Sequence, residues 1–179
     1  MSGVVRQAED AAVFDVANGL WLEDRRQRLA WGTTSDELRT HTAPDFVGEQ
    51  EIKGRKSVVI VWNDSVWGGF DCQARVEFGG GHWPQDALRW VHLVPWPTPG
   101  MQSLRDELIW SQCELSGRFG PPATVHDDGE KGRAEWRFDG VSIRDQYFDG
   151  FCGYHKVLLF VSRDRPNKTL QVTGALSRG

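Results

Sequence analysis

Twice along this chain a helix-start signal built around Asp-Glu-Leu is followed by alternating, tryptophan-bearing segments. In the first passage Thr34 and Glu37, with Leu38 behind them, precede Ser57–Trp62, Val66–Phe78 and Leu88–Trp96. In the second, Ser103, Asp106, Glu107 and Leu108 precede Arg133–Phe138, Val141–Phe148 and Tyr154–Ser162. Thr34 and Glu37 stand three apart, the spacing at which a hydroxyl and a carboxylate satisfy orphan backbone donors at a helix start. Ser103 and Asp106 repeat it. The order predicts an α+β fold of two helix-plus-three-strand units, joined in one antiparallel sheet with the helices on one face. It predicts a single domain over 1–179, with half-repeats at 20–97 and 98–163.

Local signals fill in the elements. Phe70, Cys72, Ala74, Val76 and Phe78 alternate with Asp71, Gln73, Arg75 and Glu77, so one set is expected on a buried face and the other on a wet one. Ser57–Trp62 is a nearly continuous β-branched run, as in a central strand, and Asn63-Asp-Ser is expected to reverse the chain after it. Leu20-Trp-Leu22 and Leu29-Ala-Trp31 flank an arginine cluster and predict a short hairpin. Leu104, Leu108, Leu115 and Phe119 define one face of the longest predicted helix, ended by Gly120-Pro-Pro122. Residues 126–132 read as a polar loop. Asp139-Gly140 supplies the positive φ angles of a two-residue hairpin turn. Pro95, Pro97 and Pro99 mark the boundary between the halves.

Bulk properties narrow the function classes. The 179 residues carry 25 acidic and 21 basic side chains, a formal charge of −4, which disfavours a protein that coats nucleic acid. No apolar stretch approaches the ~20 residues of a membrane-spanning helix, and the N-terminus has no secretion signal. Three cysteines at unrelated spacings do not make a disulfide framework. A reducing cytoplasm fits best.

Sites of chemistry are weak. The five histidines never fall at the i, i+4 spacing of a helical zinc pair. Cys152-Gly-Tyr-His155 has no second pair of ligands nearby, so no metal or other cofactor is expected. His126 with Asp127, Asp128 and Glu130 concentrates acid and base groups, but beside Gly129 and Gly132 the run reads as a solvated turn. No catalytic residue is assigned. The nine tryptophans are the unusual component. Most suit the core, whereas Trp67, beside Gly68-Gly69, and Trp83, in a glycine-rich loop, suit either packing or an interface anchor. Asp71, Arg75 and Glu77, with Arg133, Glu135 and Arg137, are expected to form a mixed-charge sheet surface able to select a partner.

Residues Ser35-Asp-Glu-Leu38 and Arg105-Asp-Glu-Leu108, with the Gly120-Pro121 helix ending, carry a resemblance of architecture over about 30–162. The order of elements looks like the tandem-repeat inhibitor fold of the β-lactamase-inhibitor-protein type, and is similar in style to bacterial immunity proteins. That resemblance implies a non-enzymatic cytoplasmic protein that binds and blocks a cognate toxin, without nucleic acid or membrane as partner. The missing signal and unpaired cysteines set this chain apart from the secreted inhibitors. The alternatives are a small-molecule binder with an aromatic-lined pocket, or an enzyme using His126 and a nearby carboxylate.

Overall fold

The computed structural model describes residues 13–52, 54–79, 86–96, 101–149 and 153–162. The chain is dominated by strands. Gly19–Leu22 (β1) and Gln27–Ala30 (β2) form a separate hairpin. The remaining strands among the described residues are Phe46–Ile52 (β3), Arg55–Val66 (β4), Phe70–Gly79 (β5), Trp90–Pro95 (β6), Thr124–Asp127 (β7), Lys131–Phe138 (β8), Val141–Phe148 (β9) and Tyr154–Val161 (β10). They make one eight-stranded antiparallel sheet in the order β3-β4-β5-β6-β10-β9-β8-β7. The two described α-helices are Ser35–His41 (α1) and Leu104–Phe119 (α2).

This overturns the expected α+β arrangement of two helix-plus-three-strand units. Among the described residues the sheet has eight strands rather than six, and α1 spans only 7 residues, whereas the short hairpin expected around the arginine cluster does form, as β1 and β2. The two strands missing from the expectation, β3 and β7, are the outermost ones. An edge strand pairs on one side only and tolerates polar side chains. Thus Gly48-Glu-Gln-Glu51 in β3, and His126-Asp127 in β7, carry little of the alternation that marks a central strand.

The turn after the first central strand also lies elsewhere. β4 runs straight through Asn63-Asp-Ser, and each of these residues finds a partner; the Asn63 N–H donates to Asp45. Asp64 accepts from Arg25 Nη1 at 2.6 Å and from Asp24 N at 2.9 Å, and Ser65 Oγ donates to Asp71. The reversal falls at Trp67-Gly68-Gly69, with φ of 54°, 79° and 86°. Two glycines there supply the left-handed conformation that a β-branched or acidic residue resists.

Both helix starts form as the spacing predicts. Thr34 and Glu37 close a full capping box, and Ser103 Oγ accepts from Asp106 N at 3.1 Å. The hairpin turn at Asp139-Gly140 forms too, but only Gly140 takes a positive φ, 71°, and Asp139 does not.

A continuous core lies beneath one face of the sheet. It takes Ile60, Trp62 and Val66 from β4, the apolar set of β5, and Val91 and Leu93 from β6. From beyond the β6–β10 seam it takes Val157, Leu159, Ile143, Ala134 and Trp136. Leu20, Leu22 and Leu29 of the hairpin, Leu38 of α1 and Leu115 of α2 seal it. Both described helices and the hairpin therefore lie on this side. The other side of the sheet faces away from them.

Candidate functional site

Antiparallel pairing fixes which side chains share the outward face. On β10, at the centre of the sheet, these are Tyr154, Lys156, Leu158 and Phe160. The β9 partners are Phe148, Gln146, Arg144 and Ser142, and Trp90 and His92 of β6 lie opposite Phe160 and Leu158. Neighbouring strands lie ~4.8 Å apart, so these side chains form a belt across the middle of the face. Trp90 lies with its ring centroid 4.5 Å from that of His92, and Phe148 lies 6.1 Å from Tyr154. Arg144 sits 4.9 Å over Phe160, and the Lys156 ammonium 4.6 Å over Tyr154. Val94, Phe148 and Tyr154 are 42%, 39% and 40% exposed, and Trp96, just past β6, is 49% exposed.

The residues expected to bind a partner fall on the two flanks of this belt. Asp71, Arg75 and Glu77 point outward from β5; Arg133, Glu135 and Arg137 point outward from β8. Three strands, β6, β10 and β9, separate the two sets, so they stand ~19 Å apart. Glu135 is the exception to the expected wet surface. It is buried and clamped, accepting from Arg137 Nε at 2.9 Å and from Arg144 Nε and Nη2 at 3.2 Å. Burial alone would raise its carboxyl, but the two guanidinium groups outweigh that and hold it below the usual range.

Trp67 is corrected outright. Its exposure is 0%, and its ring packs against Phe119 at 5.3 Å and Phe70 at 6.0 Å. It belongs to an aromatic cluster that also holds Phe14, Trp110 and Phe138. Ring-to-ring contact fills that space between α2 and the sheet, where an aromatic-lined pocket would have to sit. Trp83 and Cys152 lie outside the described residues.

His126 does not build an acid–base site. Its imidazole is 63% exposed beside Asp128, while Asp127 and Asp128 accept from the backbone N–H groups of Gly129, Glu130 and Lys131. These carboxylates shape the turn.

One cluster of chemistry-bearing groups was missed. Asp145 on β9, Ser111 on α2 and His155 on β10 meet beneath the sheet. His155 Nε2 lies 2.7 Å from Asp145 Oδ1, and its Nδ1 lies 3.2 Å from Glu107 Oε2. Ser111 Oγ lies 2.5 Å from Asp145 Oδ2 and 3.1 Å from His155 Nε2. Burial pushes the Asp145 carboxyl up, against the hydrogen bonds from His155 and Ser111 that favour its charge. A serine nucleophile has to reach its substrate, yet Ser111 and Asp145 are both 0% exposed. The network instead joins one helix to two strands. Glu107 and His155 also line an open cleft of about 210 Å³, with Gln73, Val94, Pro95 and Trp96. A polar residue at an inward position was the available signal: Ser111 between Leu108 and Leu115, and Asp145 between Ile143 and Tyr147.

His92, on the outward belt, gives a pH prediction. Burial, with Lys156 and Arg75 nearby, pushes its imidazole down to about 4. Between ~6.5 and about 4 the unfolded chain then binds more protons at this residue than the folded one. Its contribution is intact above ~6.5 and is lost as the pH falls towards about 4. His92→Gln should therefore reduce the stability lost between pH 7 and pH 5 by about 1 kcal/mol, allowing for partial solvent screening. Urea unfolding at both pH values reads this, and an unchanged loss would contradict it.

No helix among the described residues is long and apolar enough to cross a membrane. No protein-family model matches the chain, and neither a curated protein nor a solved structure matches it.

Proposed function

We propose that this is a non-enzymatic protein-binding protein, whose docking surface is the outward face of the eight-stranded sheet. The observation that carries the reading is the aromatic belt. Phe148 and Tyr154 stay about two-fifths exposed at the adjoining ends of the central strands β9 and β10, on the side away from both described helices. Exposed apolar groups gathered in one patch, rather than scattered, mark interaction surfaces. Aromatic and arginine side chains are the favoured anchors of such surfaces. Here Arg144 over Phe160 and Lys156 over Tyr154 hold their partners' rings in place before any encounter, which lowers the ordering cost of binding.

The specific form we favour is a cytoplasmic immunity protein that blocks a cognate bacterial toxin. The acidic balance of the chain and the enclosed serine–histidine–carboxylate network agree with a binding rather than a catalytic role. A small-molecule binder is less well supported, because the aromatic cluster is filled by its own rings and, among the described residues, Trp96 is the one Trp, Tyr or Phe lining the cleft.

A photo-crosslinking side chain tests the reading in the source cells. Placed at Leu158, on the belt, it should give a discrete adduct with one partner protein. Placed at Cys113, which is exposed on α2, it should give at least tenfold less. Equal yields from the two positions, or no adduct from Leu158, would overturn the assignment of this face.

A further inference from the structure

The outward face is electrically lopsided. Among the described residues, its β8–β9–β10 half presents Arg133, Arg137, Arg144 and Lys156 against a single strand carboxylate, Glu135. On the β5 side, Asp71 and Glu77 accompany only Arg75. A chain with a formal charge of −4 has thus gathered cations on half of one face.

The cations are also arranged with unspent donors. Glu135 takes the Nε hydrogens of Arg137 and Arg144 and so fixes the planes of both guanidinium groups. Among the described residues, the Nη groups of Arg137 have no acceptor, and neither Arg133 nor Lys156 pairs with a carboxylate. Arg137 is 61% exposed. Burial lowers the Lys156 ammonium from its ordinary value, so an added negative charge would relieve a cost the folded chain already bears. Guanidinium forks fixed in plane are matched by carboxylates, which they bind through two parallel hydrogen bonds.

Resting on the docking surface proposed above, we infer that the partner presents an acidic segment, a run of Asp or Glu side chains, to the β8–β9–β10 half. Apolar groups of that partner meet Tyr154, Leu158 and Phe160 beside it. Like charges would be turned away by the same half, so the lopsided face selects its partner as well as holding it. A second copy of this chain and a single-stranded nucleic acid, which also pairs cations with rings, are the competing occupants.

The test uses a fluorescent peptide of ten glutamates, with a fifteen-nucleotide oligothymidylate and a ten-lysine peptide as comparisons. The glutamate peptide should bind most tightly, and at least threefold more weakly in 200 mM than in 50 mM NaCl, since surface charge is screened over ~8–10 Å at 0.1–0.15 M salt. Arg133→Glu combined with Lys156→Glu should weaken binding at least tenfold with the melting temperature and circular dichroism unchanged. Arg75→Glu, on the other flank, should change it less than twofold. Tighter binding of the oligothymidylate, no salt dependence, concentration-dependent dimers that exclude the peptide, or a double reversal within twofold of the parent would each overturn the inference. If the double variant fails to fold, the salt series and the oligothymidylate comparison decide. The crosslink at Leu158 is indifferent to the partner's charge. An adduct without glutamate-peptide binding would therefore refute the acidic partner and leave the docking face standing.

Discussion

Replacing His155 with alanine is expected to cost ~3–5 kcal/mol of folding stability, the range for removing the partner of a buried carboxylate. For a chain of 179 residues that is a fall in melting temperature on the order of 10 °C. The cause is local. Asp145, 0% exposed, would keep only the Ser111 hydroxyl as partner. Its carboxyl, already pushed up by burial, would rise further once the imidazole is gone. A raised carboxyl contributes its full stability below its unfolded value and loses it as the pH rises through the folded value. The deficit of the variant should therefore be smaller at pH 5 than at pH 7. A paired change of Asp145 and His155 to leucine should regain much of the loss, since well-packed apolar residues often match a buried polar pair. Thermal and urea unfolding of the three proteins check this. A deficit below ~1 kcal/mol in the alanine variant would mean that the network does not tie α2 to the sheet.

Trp67→Ala should cost a similar ~3–5 kcal/mol, the usual price of deleting a buried tryptophan. The ring stands against Phe70 and Phe119, and Arg118 Nε donates to its carbonyl oxygen at 2.7 Å, holding the turn against α2. The backbone at Trp67 is left-handed, φ 54°, a conformation that persists only where its surroundings enforce it. Trp67→Phe should cost less, about 1–3 kcal/mol, because the phenyl ring keeps part of the contacts and leaves a smaller cavity than alanine does. The indole Nε1 has no hydrogen-bond partner to lose among the described residues. The crosslink from Leu158 should persist in Trp67→Phe. That result would separate this tryptophan's packing role from any part in docking.

These two residues show where sequence reading succeeds and where it stops. The alternation of Phe70 to Phe78 marks β5 because both of its neighbours are strands and its inward positions are all apolar. β3 and β7 escape notice because an edge strand meets weaker demands on each side. Trp67 looks like a loop residue, since glycines follow it, but a turn can fold its side chain inward when a helix end such as Phe119 lies across it. The outward belt was hidden for a related reason. Trp90, Phe160, Tyr154 and Phe148 sit at strand positions that read as core, and only the β6–β10 pairing places them together on the side away from the helices. Alternation alone puts the charged residues of β5 and β8 on the outward face, yet the burial of Glu135 and the separation of the two sets depend on a strand order that local pattern does not encode.

The most direct test of the docking face is hydroxyl-radical footprinting of the complex recovered from the Leu158 crosslink position, using the unmodified chain with the partner so identified. Binding should reduce oxidation of Phe148, Tyr154 and Phe160 at least fivefold, and leave exposed Cys113 and Ile109 on α2 within twofold of the free protein. Protection of Cys113 and Ile109, with the three rings still fully reactive, would place the partner on the helical side and contradict the account.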